Sequence, residues 1–510
     1  MPSRRQLLKA AAASGVGLVT VPAWLAGCAK PGELASPVAN LDMLSTFGVD
    51  AALCTTLLTE LGAMGADAAD LYFQRTRSNF LQMEDGRIAE ASASIDLGVG
   101  LRTVVGDQQG YAFTEELSLD AMRGAARTAA SIAKGAARPG PVAFNPASGG
   151  ALYTLAVPWS QVGVDAKLPL VRKLEAYARA GDPSVSKVTV TWNDSEEQVV
   201  IATIDGRLMH EVRPMTRLWC IVTATKNGQT FSNSANLAGR RGIDWFSDQN
   251  LAELAKRAVD RTMVLFEAKR PPAGEMPVVL AAGASGILLH EAIGHGLEAD
   301  FNRKGTSIYS DMVGKPIAAD FVNIVDSGIE PNERGALSFD DEGNPTERTM
   351  LVEKGILKGY LHDSISAKHY GVKPSGSGRR QSFRFQPMPR MRCTFMENGP
   401  HTKDEIVASV KNGIIAETFT NGQVQIGAGD YTFYIKNGWL IENGKITAPI
   451  KDVNIIGNGP ESLKRVTMAA NDTQLDTGGW TCGKDGQGVP VSQGLPTVLV
   501  SSMTVGGVNA

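Results

Sequence analysis

The chain has 510 residues, 43% of them hydrophobic, with 50 Lys plus Arg against 53 Asp plus Glu and 55 glycines. A chain of this length exceeds what one hydrophobic core organises, which predicts two or three lobes. The charge balance, with no block of one sign, excludes the electrostatic footprint of a nucleic-acid binder, and the composition is that of a turn-rich globular protein rather than a disordered or coiled-coil one.

Residues 1–28 read as an address. Ser3-Arg4-Arg5-Gln6-Leu7-Leu8-Lys9 precedes a small-residue apolar run that ends in Leu25-Ala26-Gly27-Cys28. Adjacent arginines before a modestly hydrophobic stretch are what the twin-arginine, folded-protein route reads, and Leu-Ala-Gly-Cys is a lipobox whose thiol is acylated before cleavage. An uncleaved span over 10–27 is the alternative, since that run has about the minimum length for a bilayer. Its Ala, Gly, Ser and Val, with Pro22 among them, are poor spanning material. The expectation is a lipoprotein exported to the periplasmic side and anchored to a membrane through Cys28. Residues 29–47, containing Pro and Ser, suit a tether. No further long apolar segment follows, so the mature body is expected to be soluble.

Residues 48–270 are expected to form an N-terminal α+β domain, with a break between sub-lobes near 140–165. Helical spacing of apolar residues predicts a helix over 49–64, and 69–113 alternates as strands broken at Glu84-Asp85-Gly86-Arg87 and at Val105-Gly106-Asp107-Gln108-Gln109-Gly110. A helix-rich 117–137 closes this unit. A second helix near 168–180 precedes strands from 187 to 233, where Asp205-Gly206-Arg207 echoes Asp85-Gly86-Arg87 and raises the suspicion of an internal duplication. A helix over 251–266 leads to Lys269-Arg270-Pro271-Pro272, where the prolines stop it. Residues 271–510 then read as an apolar strand, one helix, and strands with Gly-rich loops. The fold class is α+β: an N-terminal antiparallel sheet with helices, followed by a β-rich C-terminal domain that carries the chemistry.

That chemistry is concentrated on a strand at 276–281 and a helix at 285–297, which contains His290-Glu291-Ala292-Ile293-Gly294-His295. Two imidazoles offer neutral nitrogen ligands of the kind zinc takes, and a carboxylate beside the first can accept a proton from water. The familiar zinc-peptidase spacing is i, i+4. One residue more turns the second ring roughly 140° from the first on a regular helix. Gly294 and Gly296 flank His295, so a π-bulge or an early helix end is expected to bring both rings to one ion. With only six histidines in the chain, such a pattern arises by chance in about 0.4% of sequences of this size.

Of the five cysteines, Cys28 is assigned to lipid, and Cys54 and Cys220 sit among apolar neighbours as small buried hydrophobes. Cys393 is left open. Cys482, in the polar Gly-rich stretch Thr-Cys-Gly-Lys-Asp-Gly-Gln-Gly, is the candidate third ligand. Glu298 is a rival for that place, or a support for another ligand, or with Asp300 a helix-surface charge. His362 and His369, in a polar helical stretch, read as surface groups, and His210 and His401 carry no supporting pattern.

The stretch His290-Glu-Ala-Ile-Gly-His-Gly-Leu-Glu-Ala-Asp-Phe-Asn-Arg-Lys-Gly305 resembles the signature of the TldD branch of the TldD/PmbA metallopeptidases. Asp340-Asp341-Glu342-Gly343-Asn344-Pro345-Thr346, Gly378-Arg379-Arg380, Pro387-Met388-Pro389-Arg390-Met391, Ile441-Glu442-Asn443-Gly444, Ile456-Gly457-Asn458-Gly459-Pro460 and Cys482-Gly483-Lys484-Asp485-Gly486-Gln487 resemble family segments in family order. The likeness spans residues 50–510 and is densest after 275. It implies zinc (Zn2+) held by His290, His295 and Cys482, Glu291 as general base, and hydrolysis of short or unfolded peptides held as an added strand in an enclosed tunnel. It also implies a homodimer or a heterodimer with a PmbA-like subunit. Arg379, Arg380 and Arg390 are candidates to bind substrate carboxylates or the dimer mate, with solvated surface charge the plainer reading.

Two departures stand out. Arg392-Cys393-Thr394 replaces the Thr-Asn-Thr often seen in relatives, which bears on substrate preference, and the family's best-known members are cytoplasmic whereas this chain carries an export signal. A non-catalytic peptide-binding or partner subunit is the alternative of a different class, although the inactive branch generally lacks the His-Glu-x-x-x-His set kept here. Hydrolysis of a non-peptide amide is left open by the ligands alone.

Overall fold

The structure, a computed structural model, describes residues 41–425 and 428–507. The signal at 1–28 with Arg4, Arg5 and Cys28, and residues 29–40 of the expected tether, lie outside the described residues. Leu41–Phe47 form a 3-10 helix with Leu44 and Phe47 buried. They belong to the folded body rather than to a tether because these side chains pack against the first helix and sheet.

Helix α1 (Ala51–Gly62) is capped by the Asp50 carboxylate, which accepts from the Leu53 amide, and buries Cys54, Leu57, Leu58 and Leu61. It leads into β1 (Ala68–Glu84), β2 (Arg87–Val105) and β3 (Gln108–Thr114), followed by α2 (Leu119–Ala130). After β4 (Asn145–Ser148) the same order recurs as α3 (Val164–Gly181), β5 (Val185–Thr203), β6 (Arg207–Lys226), β7 (Gln229–Gly239) and α4 (Asp248–Met263). Helix, three antiparallel strands and helix thus occur twice, and the halves join where β1 pairs with β5. The β1–β2 hairpin turns at Asp85-Gly86 and the β6–β7 hairpin at Asn227-Gly228, with φ of 47° and 76°, and 53° and 75°. Both central residues have the positive φ that a tight two-residue hairpin requires. The sheet is antiparallel except for β4, which runs parallel to β6. Each half has its own core, one around Leu57, Phe73 and Leu101, the other around Trp192, Leu218 and Leu254.

From Gly274 the chain is β-rich. Strand β8 (Gly274–Leu280) is parallel to Asn412–Gln425 and antiparallel to Val498–Gly506. The latter pairs with Val453–Asn458, which pairs with Asp430–Glu442, which returns to Asn412–Gln425. The pairings close a ring, which removes exposed edges. A second, six-stranded sheet contains Ile324–Ser327, Arg348–Glu353, Cys393–Met396 and Ser492–Leu495. The largest core draws on both sheets and on Leu288, Ile293 and Leu297 of the segment that carries the histidines. Among the described residues, no helix is long and apolar enough to cross a membrane.

The Asp340-Asp341-Glu342 segment is where the first sheet meets the C-terminal domain. Arg213 pairs with Glu211 and Asp341 at 2.8 and 2.7 Å, and Arg102 with Asp70 and Glu342 at 2.6 and 2.7 Å. All of these groups are buried. Buried ion pairs add little net stability against apolar packing but penalise any arrangement that leaves a charge alone, so they fix how the two parts meet.

Two readings from sequence are corrected within the C-terminal domain. Arg392, tied above to substrate preference, is wholly buried: its Nε lies 2.6 Å from Asp326 Oδ1, and its other nitrogens donate to the carbonyls of Ser375, Gly376 and Asp326. It is a core ion pair, and Asp326→Ala, which leaves that guanidinium unpaired, is expected to cost about 3–5 kcal/mol in denaturant unfolding. His362 is 8% exposed rather than on the surface, packed near Tyr360 and Tyr370 with its Nδ1 lacking a partner. Burial pushes its pKa down to about 4. The unfolded chain takes up this proton as pH falls below about 6.5 while the folded one resists it, so stability is lost between pH 6.5 and 4. Relative to His362→Gln, the unmutated protein should lose about 2–3 kcal/mol between pH 7 and 4.5, read from urea midpoints. Equal pH slopes would remove His362 from that account.

Candidate metal centre

After β8 the chain makes a short helix at Gly286–Leu289, a π turn at His290–Gly294 and a 3-10 turn at His295–Leu297. The helix expected over 285–297 is therefore three different turns, and of the two distortions expected at the histidines, a π-bulge or an early helix end, the π-bulge is present. The His295 amide donates to the His290 carbonyl, five residues back. The extra residue is absorbed there and the two imidazoles meet, ring centroids 5.1 Å apart and 82° between planes.

Close backbone approaches hold this turn. A Cβ on Gly286 would lie 2.5 Å from the Gly494 nitrogen, and one on Gly459 would lie 2.0 Å from the Ala292 carbonyl oxygen. A Cβ on Gly294 would meet Met391 Sδ at 2.0 Å. The glycines are required by contact, and none of these three has a positive φ.

Cys482 is not in a loop. It lies on a two-stranded hairpin, Thr481–Lys484 against Gln487–Pro490, turned by Asp485-Gly486 with φ of 48° and 74°. Arg390 Nη2 donates to the Cys482 carbonyl, Arg379 Nη2 donates to the Pro490 carbonyl at 2.7 Å, and Arg379 Nη1 donates to the Met391 carbonyl at 2.6 Å. The hairpin is thereby pinned against the π turn's neighbour Met391. Cys482 Sγ sits 3.4 Å from His295 Nε2, and one ligand atom each from His290, His295 and Cys482 lie within 4.8 Å of one another. All three residues are buried.

Behind this trio runs a chain of alternating charge. His295 Nδ1 is 3.0 Å from Glu298 Oε2, Lys484 Nζ is 3.1 Å from that same oxygen, and Lys484 also donates to Asp300 Oδ1 at 2.7 Å. Burial alone would raise the Glu298 carboxyl, but Lys484 and His295 outweigh it and hold it down at about 2. Burial likewise opposes ionisation of Cys482, yet His290 and His295 hold its thiol well below the ordinary thiol range. The imidazole of His295 is in turn raised well above its ordinary value, Glu298 and Cys482 overcoming the effect of burial. Glu298 grips the far nitrogen of His295 and so aims Nε2 at Cys482; it supports a ligand and does not join the cluster. Asp300 is buried with Lys484 and not a surface charge.

Two imidazoles and a thiolate form a nitrogen and sulfur donor set without a carboxylate, which suits zinc and not magnesium or calcium. His290 Nδ1 is buried without a hydrogen-bond partner among the described residues. Glu291 completes the geometry, with Oε2 3.9 Å from His295 Nε2 and a side chain 19% exposed, the most accessible ionisable group there.

The three arginines are not solvated. Arg379, Arg380 and Arg390 are buried; Arg379 and Arg390 brace the Cys482 hairpin, and Arg380 donates to Asp70 Oδ1 and the Asp341 carbonyl while lying over the Tyr72 ring. Cys54 and Cys220 are buried as expected, their thiols pushed up to about 12 by burial. Cys393 is buried too and its thiol raised by burial. Sequence reasoning missed Lys484, although its place two residues after Cys482, on the same face of a strand, was a usable signal.

Comparison with known proteins identifies the family and the fold. Sequence models of the PmbA/TldA metallopeptidase domain 1, central domain and C-terminal domain match residues 69–133, 157–266 and 273–507. The chain is 41% identical over 450 residues to a metalloprotease TldD homolog of Haemophilus influenzae, covering 87% of this chain and 93% of that one. It is 31% identical over 354 residues to a zinc metalloprotease TldD homolog of Saccharolobus solfataricus, covering 67% and 76%. TldE from Thermococcus kodakarensis shares the fold with a TM-score of 0.69 at 17% identity, covering 87% of this chain and 97% of that one. A solved Thermotoga maritima structure does so at 0.71 and 21%, covering 86% and 96%.

Proposed function

Because the chain belongs to the TldD/PmbA metallopeptidase family, we propose that it is a zinc-dependent peptidase acting on short or unfolded peptides. The observation that supports this reading is the convergence of His290, His295 and Cys482 beside the partly exposed Glu291. Zinc bound there would supply Lewis acidity at the scissile carbonyl and make water a nucleophile at neutral pH, with three protein ligands leaving one position open.

The chain's own residues supply the rest. Glu291 takes a proton from the attacking water at a carboxylate oxygen and returns it to the departing amine. Glu298 holds the His295 Nδ1 proton, which fixes the tautomer with Nε2 free to ligate, and Lys484 keeps Glu298 ionised. The Cys482 thiolate gives the site more negative charge than a third imidazole would, which places more of the water activation on Glu291. Burial of the trio and of its supports keeps bulk water from competing for these bonds.

The same proposal includes export through the twin-arginine signal at Arg4-Arg5, anchoring through Cys28 and peptides of the cell envelope as substrate. It also includes assembly as a homodimer or with a PmbA-like mate.

The purified full chain should hold a single zinc and cut an unstructured peptide mixture. Cys482→Ala should lose the metal, whereas Glu291→Gln should keep it and lose at least about 100-fold in turnover. A protein that holds zinc but cuts nothing, candidate mates included, would be a peptide-binding or partner subunit instead. Glu298→Gln should fold and still weaken zinc binding by about 10- to 100-fold in a chelator competition, since it alters the orientation of His295 without removing a ligand. Unchanged affinity would reduce Glu298 to a packing role.

A further inference from the structure

A cavity of about 540 Å³ lies between the face of β6, β7 and α4 and the Asp476–Thr481 segment that leads into the Cys482 hairpin. Its wall reaches Ala284, just ahead of the helix at Gly286–Leu289, and Thr481, which is next to Cys482 in the chain but on the opposite face of that strand. Four cationic side chains line it: Arg217 from β6, Arg257 and Arg261 from α4, and Lys436 from Asp430–Glu442.

The distribution of partners is unusual. None of these four half-buried cations takes part in an ion pair among the described residues, whereas Arg102, Arg213, Arg392 and Lys484 each meet a carboxylate and the equally unpaired Arg379 is satisfied by backbone carbonyls. Arg217 lies over the Trp219 ring at 3.9 Å, and its Nε is buried without a hydrogen-bond partner, as are Trp219 Nε1 and Asn236 Oδ1 on the same wall. Arg261 donates only to the Ser234 carbonyl. The single carboxylate in the wall, Asp476, is occupied by Trp480 Nε1 at 2.6 Å. Burial lowers the pKa of all four cations; Asp476, with Glu253 at Arg257 and Glu417 at Arg261, offsets this only in part, and nothing offsets it at Arg217 or Lys436. A cluster of half-buried cations with free donors is stable when an anion completes it, and guanidiniums match the planar fork of a carboxylate.

We propose that this cavity is a carboxylate-binding subsite of the peptide site, taking an acidic group of the substrate a short distance along the peptide from the bond that is cut. The proposal rests on the peptidase reading for what it calls substrate. The carboxylate has two possible sources, the α-carboxylate of a peptide's end and the side chain of an Asp or Glu.

The test is a comparison of dissociation constants on the zinc-loaded Glu291→Gln protein, which needs no cleavage. Three peptides of one neutral sequence are used: amidated at the C-terminus, free at the C-terminus, and amidated with one Gln replaced by Glu. At least one carboxylate peptide should bind about tenfold or more tighter than the neutral amide, and which one does so identifies the source. Adding Arg217→Gln, or separately Lys436→Gln, should bring that ratio close to one; the second variant guards against misfolding in the first. Equal binding of all three peptides, or a ratio that survives in both variants, overturns the subsite. Preferential binding by a protein whose unmutated form cuts no peptide would overturn the peptidase reading and leave the subsite standing.

Discussion

The His295 amide bonds to the His290 carbonyl across five residues instead of four. On an α-helix the two imidazoles would leave the axis roughly 140° apart. Placing the extra residue in a π turn costs regular hydrogen bonding, and the surroundings compensate by leaving it no other shape. Gly459 presses on Ala292, Gly494 on Gly286, and Met391 fills the space over Gly294. The position of the histidines is thus a property of the closed β-ring and the second sheet, which supply those neighbours, more than of the helical segment itself.

Gathering a thiolate, imidazoles and carboxylates in a buried place requires that each charge be answered. The structure does so in sequence: Cys482 against His295, His295 against Glu298, Glu298 against Lys484, Lys484 against Asp300. Arg390 and Arg379 extend the arrangement to the backbone, holding carbonyls on either side of the Cys482 hairpin. The same rule governs the junction at Asp341 and Glu342 and the Arg392–Asp326 pair. Against that background Arg217 and Lys436, which line a cavity without a carboxylate or carbonyl partner of their own, are the charges on which the proposed subsite rests.

Much of the fold was legible because its signals are local. Alternation and Asp-Gly turns announced the hairpins, apolar spacing announced α1, the prolines at 271 and 272 announced the end of the segment that carries α4, and Gly294 and Gly296 around His295 announced a break in the helix. What failed was non-local. Arg379 and Arg390 looked like surface charge in a Gly- and Pro-rich stretch, and Arg392 like part of a substrate-preference change, because their partners are backbone carbonyls and an aspartate 66 residues away. Glu298 could not be told from a ligand, since its choice depends on Lys484, distant in the chain. Leu41–Phe47 read as tether because Leu44 and Phe47 alone are too few to show a period.

X-ray absorption at the zinc edge of the metal-loaded full chain tests the central claim most directly. The account predicts one sulfur at about 2.3 Å and two imidazole nitrogens at about 2.0–2.1 Å, with the sulfur lost in Cys482→Ala. A zinc shell of nitrogen and oxygen alone in the unmutated protein would contradict it, because the hairpin that carries Cys482, and the charges that hold it, would then serve some other end.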